Sequence, residues 1–158
     1  MFTHGKKNDI SILYVDDEAN NLVSFKAMFR VRYTIYTAIS GEEAIKLLKL
    51  HPVNIIITDQ RMPQMTGVEF LENIIDEYPD PMRILLTGYA DMNAVVDAVN
   101  KGKIFHYLTK PWNEEELEMT ITRAYDVYKQ KMDEKELTGK LHLSNEQLEF
   151  LLRQKLIS

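Results

Sequence analysis

The chain has no cysteine, which excludes disulfides, thiolate metal sites and cysteine nucleophiles. It also has no apolar stretch near the roughly 20 residues of a membrane-spanning helix. Its first residues, Met1 to Asp9, lack the apolar core of a secretory signal, so a cytoplasmic location and no membrane contact are expected. Basic charge is not in excess. The formal net charge is −5, which gives no ground for direct nucleic-acid binding. The four histidines, His4, His51, His106 and His142, are scattered and lack zinc-ligand spacing.

What remains is ordinary for a globular protein, with 45% hydrophobic and 27% charged residues. Its 158 residues suffice for one domain and an extension. Four apolar runs, however, end in chemically active residues. Ser11–Val15 is followed by Asp16 and Asp17, and Asn54–Thr58 by Asp59. Arg83–Leu86 is followed by Thr87, and Lys103–Leu108 leads to Thr109, Lys110 and Pro111. Continuous apolar runs read as buried strands of a parallel sheet, and a further strand is expected at Tyr33–Ala38.

Helical patterns alternate with these strands. The first is expected from about Ala19 to Arg30, with Leu22, Phe25, Met28 and Phe29 on one stripe. Ser40 with Glu43 forms a capping box for the second. The third is expected from about Val68 to Glu77. The fourth should run from about Met92 to Asn100, capped by Asp91 and stopped by Gly102. The fifth begins after Asn113, with glutamates in its first turn. Five such units predict an α/β fold, a doubly wound five-stranded parallel sheet in the order 2-1-3-4-5. In such sheets the working residues lie beyond the carboxyl ends of the strands. Asp16, Asp17, Asp59, Thr87 and Lys110 would then meet at one edge.

The tail reads differently. Leu117, Ile121, Ala124 and Tyr128 give the fifth helix one docking face, and a charged stretch follows, Lys129 to Glu136. Leu137, Leu141, Ser144, Leu148 and Leu151 then recur in a coiled-coil rhythm interrupted by Gly139. A helical extension that pairs with another chain is expected. The alternatives are a solvated tail and a separate helix capped at Ser144.

Carboxylates gathered in one crevice repel one another unless a cation binds. Magnesium takes oxygen ligands and keeps several waters, and an aspartate can act as a nucleophile toward a phosphoryl group. The segments Tyr14-Val15-Asp16-Asp17-Glu18, Thr58-Asp59-Gln60-Arg61-Met62-Pro63 with Gly67, Leu86-Thr87-Gly88-Tyr89 and Tyr107-Leu108-Thr109-Lys110-Pro111, taken together, resemble the CheY-like receiver domain of two-component response regulators. The resemblance covers about Asp9 to Tyr128. It implies a flavodoxin-like receiver at residues 9–128 and a helical extension at 129–158, a coiled coil or a linker to an output module.

By that resemblance Asp59 is the phosphoacceptor, and the Mg²⁺ site consists of Asp17, which binds directly, Asp16, which binds largely through water, Asp59 and the backbone carbonyl of Arg61. Lys110 binds the phosphoryl group, Thr87 and Tyr107 form the switch pair, and Arg61 and Tyr89 tune the acyl-phosphate lifetime. A cis bond is implied before Pro111. The implied partners are a cognate histidine kinase or phosphotransfer protein, and a second copy of the chain through helix 5 and the C-terminal helix.

Thr87-Gly88-Tyr89-Ala90-Asp91, Asn100-Lys101-Gly102-Lys103-Ile104 and the segment ending in Trp112 look like receivers joined to HD-GYP or other signalling modules. The chain is therefore expected to be the receiver part of a longer response regulator, with no enzymatic module of its own. A stand-alone receiver and a scaffold that is never phosphorylated are the alternatives. An aspartyl phosphatase of the haloacid dehalogenase type would need an acid where Arg61 stands. Trp112 is read as packing or partner surface, His106 as a strand residue, and Met62 and Met65 as cover for the site loop.

Overall fold

The computed structural model describes residues 9–157. The apolar runs form strands β1 (Ser11–Val15), β2 (Thr34–Ala38), β3 (Ile55–Asp59), β4 (Met82–Thr87) and β5 (His106–Thr109). They make one parallel sheet in the order β2-β1-β3-β4-β5, as expected. Between them run helices α1 (Ala19–Phe29), α2 (Gly41–Leu50), α3 (Gly67–Ile74) and α4 (Met92–Asn100), and α5 (Glu114–Ile157) follows β5. Every residue of β3 is buried, as a central strand covered on both faces requires.

Alternation along the strands feeds two cores. Leu13, Val15, Ile56 and Leu85 pack with Ala44 and Leu48 of α2, Phe70, Leu71 and Ile74 of α3, and Val95 and Ala98 of α4. The intervening residues face the other way. There Tyr14 of β1 stacks on Phe25 of α1, with ring centres 4.1 Å apart, and Phe29 and Tyr33 extend the aromatic row. Leu117, Ile121 and Ala124 of α5 are fully buried. Arg32, just past α1, pairs with Glu114 and Glu118 of α5 at 2.6 and 2.5 Å and lies over the Phe29 ring.

Capping explains most helix starts. Ser40 Oγ accepts from the Glu43 amide while the Glu43 carboxylate accepts from the Ile39 amide, a reciprocal box. Asn113 Oδ1 accepts from the Glu116 amide at 2.7 Å. Gly102, at φ +73°, closes α4, its amide donating to the Val99 carbonyl.

The start of β5, both ends of α3 and the cap of α4 differ from expectation in ways the structure explains. β5 begins at His106, not Lys103, because the Lys103 amide still bonds the Ala98 carbonyl in the helix-ending turn. The carbonyl of Lys103 is itself taken by Arg83 Nε at 2.7 Å. α3 starts at Gly67 and ends at Ile74, not Val68 and Glu77: Thr66 Oγ1 caps it by accepting from the Glu69 amide. Asp91 does not cap α4 with its side chain, because its carboxylate turns to Arg61 instead.

The chain divides after Tyr125 into two units. The second contains the rest of α5, a continuous helix through Gly139 and Ser144. Neither residue interrupts it, so a separate helix capped at Ser144 is not formed. Leu137, Leu141, Leu148 and Leu151 are all exposed there.

Candidate functional site

Parallel register decides which side chains meet. Val15 of β1 lies opposite Thr58 of β3, and Asp59 lies opposite Leu86 of β4. The residues that follow those positions emerge together at the carboxyl edge. Asp16, Asp17 and Asp59 each offer a carboxylate oxygen, all lying within 4.8 Å of one another. Asp16 and Asp59 are buried and Asp17 half-buried.

Lys110 arrives from the loop after β5, whose Lys110-Pro111 bond is cis. Its Nζ lies 2.6 Å from Asp59 Oδ1. Burial raises the Asp59 pKa above its ordinary value. The Lys110 ammonium opposes that rise, and the neighbouring Asp16 and Asp17 carboxylates add to it. Thr87 ends β4 and is buried, its hydroxyl donating to the Gly88 carbonyl at 3.1 Å. Tyr107, on β5, is half-buried against the α2–α4 core. Residues 12–122 match the model of the response regulator receiver domain, more than half of the chain.

This chain belongs to the response regulator receiver family. Members are phosphorylation-activated switches of two-component systems, and this chain has that role. The hydrogenase transcriptional regulatory protein HoxA of Cupriavidus necator is 34% identical over 148 residues, which are 94% of this chain and 31% of that protein. The chain thus spans less than a third of the length of the curated relatives it matches. A solved adenylate cyclase chain from Rhodopirellula baltica superposes with a TM-score of 0.82 at 30% identity, covering 84% of this chain and 99% of that one. The signal receiver domain of an HD domain-containing protein from Pseudomonas fluorescens gives 0.72 at 32% identity, covering 78% and 99%.

In this receiver the segment after β3 is held by backbone and side chain together. The Gln60 amide donates to the Leu86 carbonyl, Gln60 Oε1 accepts from the Val68 amide, and the Gly67 amide donates to the Gln60 carbonyl. Gly67 packs so closely that a Cβ there would lie 2.4 Å from the Asp59 carbonyl oxygen. Met62 is buried beside this segment, and Met65 Sδ accepts from Asn73 Nδ2 at 3.7 Å. Arg61 and Tyr89 are exposed, and Arg61 Nε pairs with Asp91 at 3.3 Å. His106 is exposed on β5.

The donor set suits a hard divalent cation: three carboxylates converge with one ammonium beside them, leaving an excess of negative charge for a metal to balance. Sequence reasoning did not single out Gln60, Tyr14 or Asn21, which structure this edge. The Tyr14 hydroxyl and Asn21 Nδ2 both donate to Asp16 Oδ2, each at 3.0 Å. Tyr14 had a signal: residues two apart on a strand share a face, so position 14 points the way of position 16. Asn21 and Gln60 had none, since their roles depend on how loops return to the edge. A pocket of about 370 Å³ opens beside Asp16 and Lys110, lined also by Tyr14, Phe25, Met28 and Trp112.

Proposed function

We propose that Asp59 is the phosphoacceptor. The single observation that carries this reading is the 2.6 Å contact of Lys110 Nζ with Asp59 Oδ1 at the edge where Asp16 and Asp17 converge. A carboxylate oxygen of Asp59 attacks the phosphorus of a phosphohistidine on a histidine kinase or phosphotransfer protein. The phosphorus–nitrogen bond breaks, and the imidazole nitrogen leaves with the electron pair and takes a proton. The product is an acyl phosphate on Asp59. Lys110 transfers its charge contact to the phosphoryl oxygens, and Thr87 exchanges its bond to Gly88 for one to the same group. Mg²⁺, held by Asp16, Asp17, Asp59 and the Arg61 carbonyl, would supply charge neutralisation for the incoming phosphoryl group. The inward turn of Tyr107 reshapes the face of α4, β5 and α5, a local charge event biasing a two-state element.

Residues 9–128 form the receiver in this reading, and 129–158 an extension that passes the change on. The exposed leucines at 137, 141, 148 and 151 support pairing with a second copy of the chain. The likeness to the receiver of an HD domain-containing protein supports a receiver coupled to a signalling output module, with no separate enzyme in this chain. A cytoplasmic location fits this role, and among the described residues no helix is long and apolar enough to cross a membrane.

The test is incubation with acetyl phosphate and Mg²⁺ followed by intact mass. One phosphoryl group is expected on the wild type and on Asp126→Asn, and none on Asp59→Asn. An unmodified wild type under these conditions, with beryllofluoride also silent in Trp112 fluorescence, overturns the reading in favour of a scaffold.

A further inference from the structure

Tyr14 is almost fully buried, its ring stacked within 5° of parallel on that of Phe25. A phenylalanine would fill the same space. The hydroxyl is therefore the part that needs an explanation, since a buried phenol costs stability unless it is bonded. Its partner is Asp16 Oδ2, at 3.0 Å.

An ionised carboxylate has about four acceptor positions, two on each oxygen. On Asp16 three of them are occupied. Tyr14 and Asn21 both donate to Oδ2, and the Glu18 amide donates to Oδ1 at 3.0 Å. One position remains, and it is on Oδ1. Asn21 Nδ2 is steadied in turn by Glu18 Oε2 at 3.3 Å. Because the Tyr14 ring is held by its stack on Phe25 of α1, its hydroxyl is a fixed donor that orients the Asp16 carboxylate plane.

We infer that Tyr14 is a positioning residue for the cation site: with Asn21 it occupies Oδ2 of Asp16, so that Asp16 presents Oδ1 alone toward a divalent cation shared with Asp17 and Asp59. This rests on the magnesium reading given above. Hydrogen-bond partners behind a ligand commonly change metal affinity by about 10–100-fold when removed.

Trp112, the single tryptophan of the chain, lines the same pocket as Tyr14, Asp16 and Lys110, so its emission is the reporter. Mg²⁺ alone is titrated into the full chain, followed by Trp112 fluorescence and by calorimetry. Wild type is expected to saturate. Tyr14→Phe, which keeps the ring and loses the hydroxyl, is expected to bind about tenfold more weakly. Asn21→Ala, on the half-buried side of α1, is expected to weaken binding in the same direction, and it decides the matter should Tyr14→Phe not fold. Urea unfolding without Mg²⁺ separates the roles: a merely structural tyrosine would lower the midpoint and leave the affinity unchanged. Wild type that binds Mg²⁺, with both folded variants matching it within about twofold, overturns the positioning role alone. Wild type with no saturable Mg²⁺ binding removes the magnesium reading itself, and this inference with it.

Discussion

The guanidinium Nε of Arg61 lies 3.3 Å from the carboxylate of Asp91. The pair joins the segment that follows the proposed phosphoacceptor to the turn that follows Thr87. Arg61 is largely exposed, so the pair contributes at most about 1 kcal/mol to stability. Its expected effect is on water access to the acyl phosphate. Arg61→Ala and Asp91→Asn should each change the lifetime of phosphorylated Asp59 by up to about fivefold. Tyr89→Ala, which removes an exposed ring from the same turn, should act on the same quantity. Mg²⁺ affinity should stay nearly constant in all three. The check is the decay of the labelled protein after removal of the phosphodonor, and equal lifetimes would leave Arg61 and Tyr89 without a tuning role.

Gly67 and Gly41 offer a paired test of backbone approach. A Cβ at Gly67 would lie 2.4 Å from the Asp59 carbonyl oxygen and 2.8 Å from Leu85 Cδ1. Neither can retreat without moving β3 or the core, so Gly67→Ala should cost about 1–3 kcal/mol and slow phosphorylation by displacing Asp59. A Cβ at Gly41 meets chiefly Met65 Sδ at 2.6 Å, the end of a flexible side chain. Gly41→Ala should be clearly milder. Urea midpoints of the two variants give the comparison, and equal losses would contradict it.

Arg32 forks to Glu114 and Glu118 across the end of α1 and the start of α5. Its guanidinium also lies over Phe29, 5.0 Å from the ring centre. Arg32→Ala should loosen the first turns of α5 at a cost of about 1 kcal/mol. Faster amide exchange confined to residues around Glu114 to Glu118 is the expected signature. Unchanged exchange there would mean that Leu117 and Ile121 hold the helix unaided.

Tyr14 and Tyr33 both have pKa values raised above the ordinary 10.0, chiefly by burial, with Asp16 adding at the first and Glu118 at the second. The unfolded chain releases these protons near pH 10, before the folded chain does. Stability present below that pH is therefore lost as the pH rises from about 10 through the folded values. Urea midpoints should fall across that range. Tyr14→Phe and Tyr33→Phe should each flatten the fall, and phenolate absorbance should rise together with unfolding.

Much of the fold and of the site edge is legible in the sequence, because the relevant code is local. Apolar runs set the strands, and Ser40 with Glu43 and Asn113 set two helix starts through short-range bonds. The residues closing those runs identified the edge where Asp16, Asp17, Asp59, Thr87 and Lys110 gather. What was not readable depends on partners distant in sequence. Asp91 looked like a cap for α4, yet Arg61 captures it from another loop. Lys103 looked like a strand start, yet Arg83 and the end of α4 hold it outside the ladder. Gln60 carried no signal of its own and proves to bond three backbone groups.

The backbone of Thr87 is gripped on both sides. The Gln60 amide holds the Leu86 carbonyl at 2.9 Å, and the Lys110 amide holds the Thr87 carbonyl at 2.9 Å. The next residue, Gly88, is not enclosed: a Cβ there would meet nothing within 4 Å. The hinge of the turn after β4 is thus set by hydrogen bonding rather than by a flexible stretch. Thr87 can swing its side chain but hardly its main chain, and any larger displacement starts one residue later.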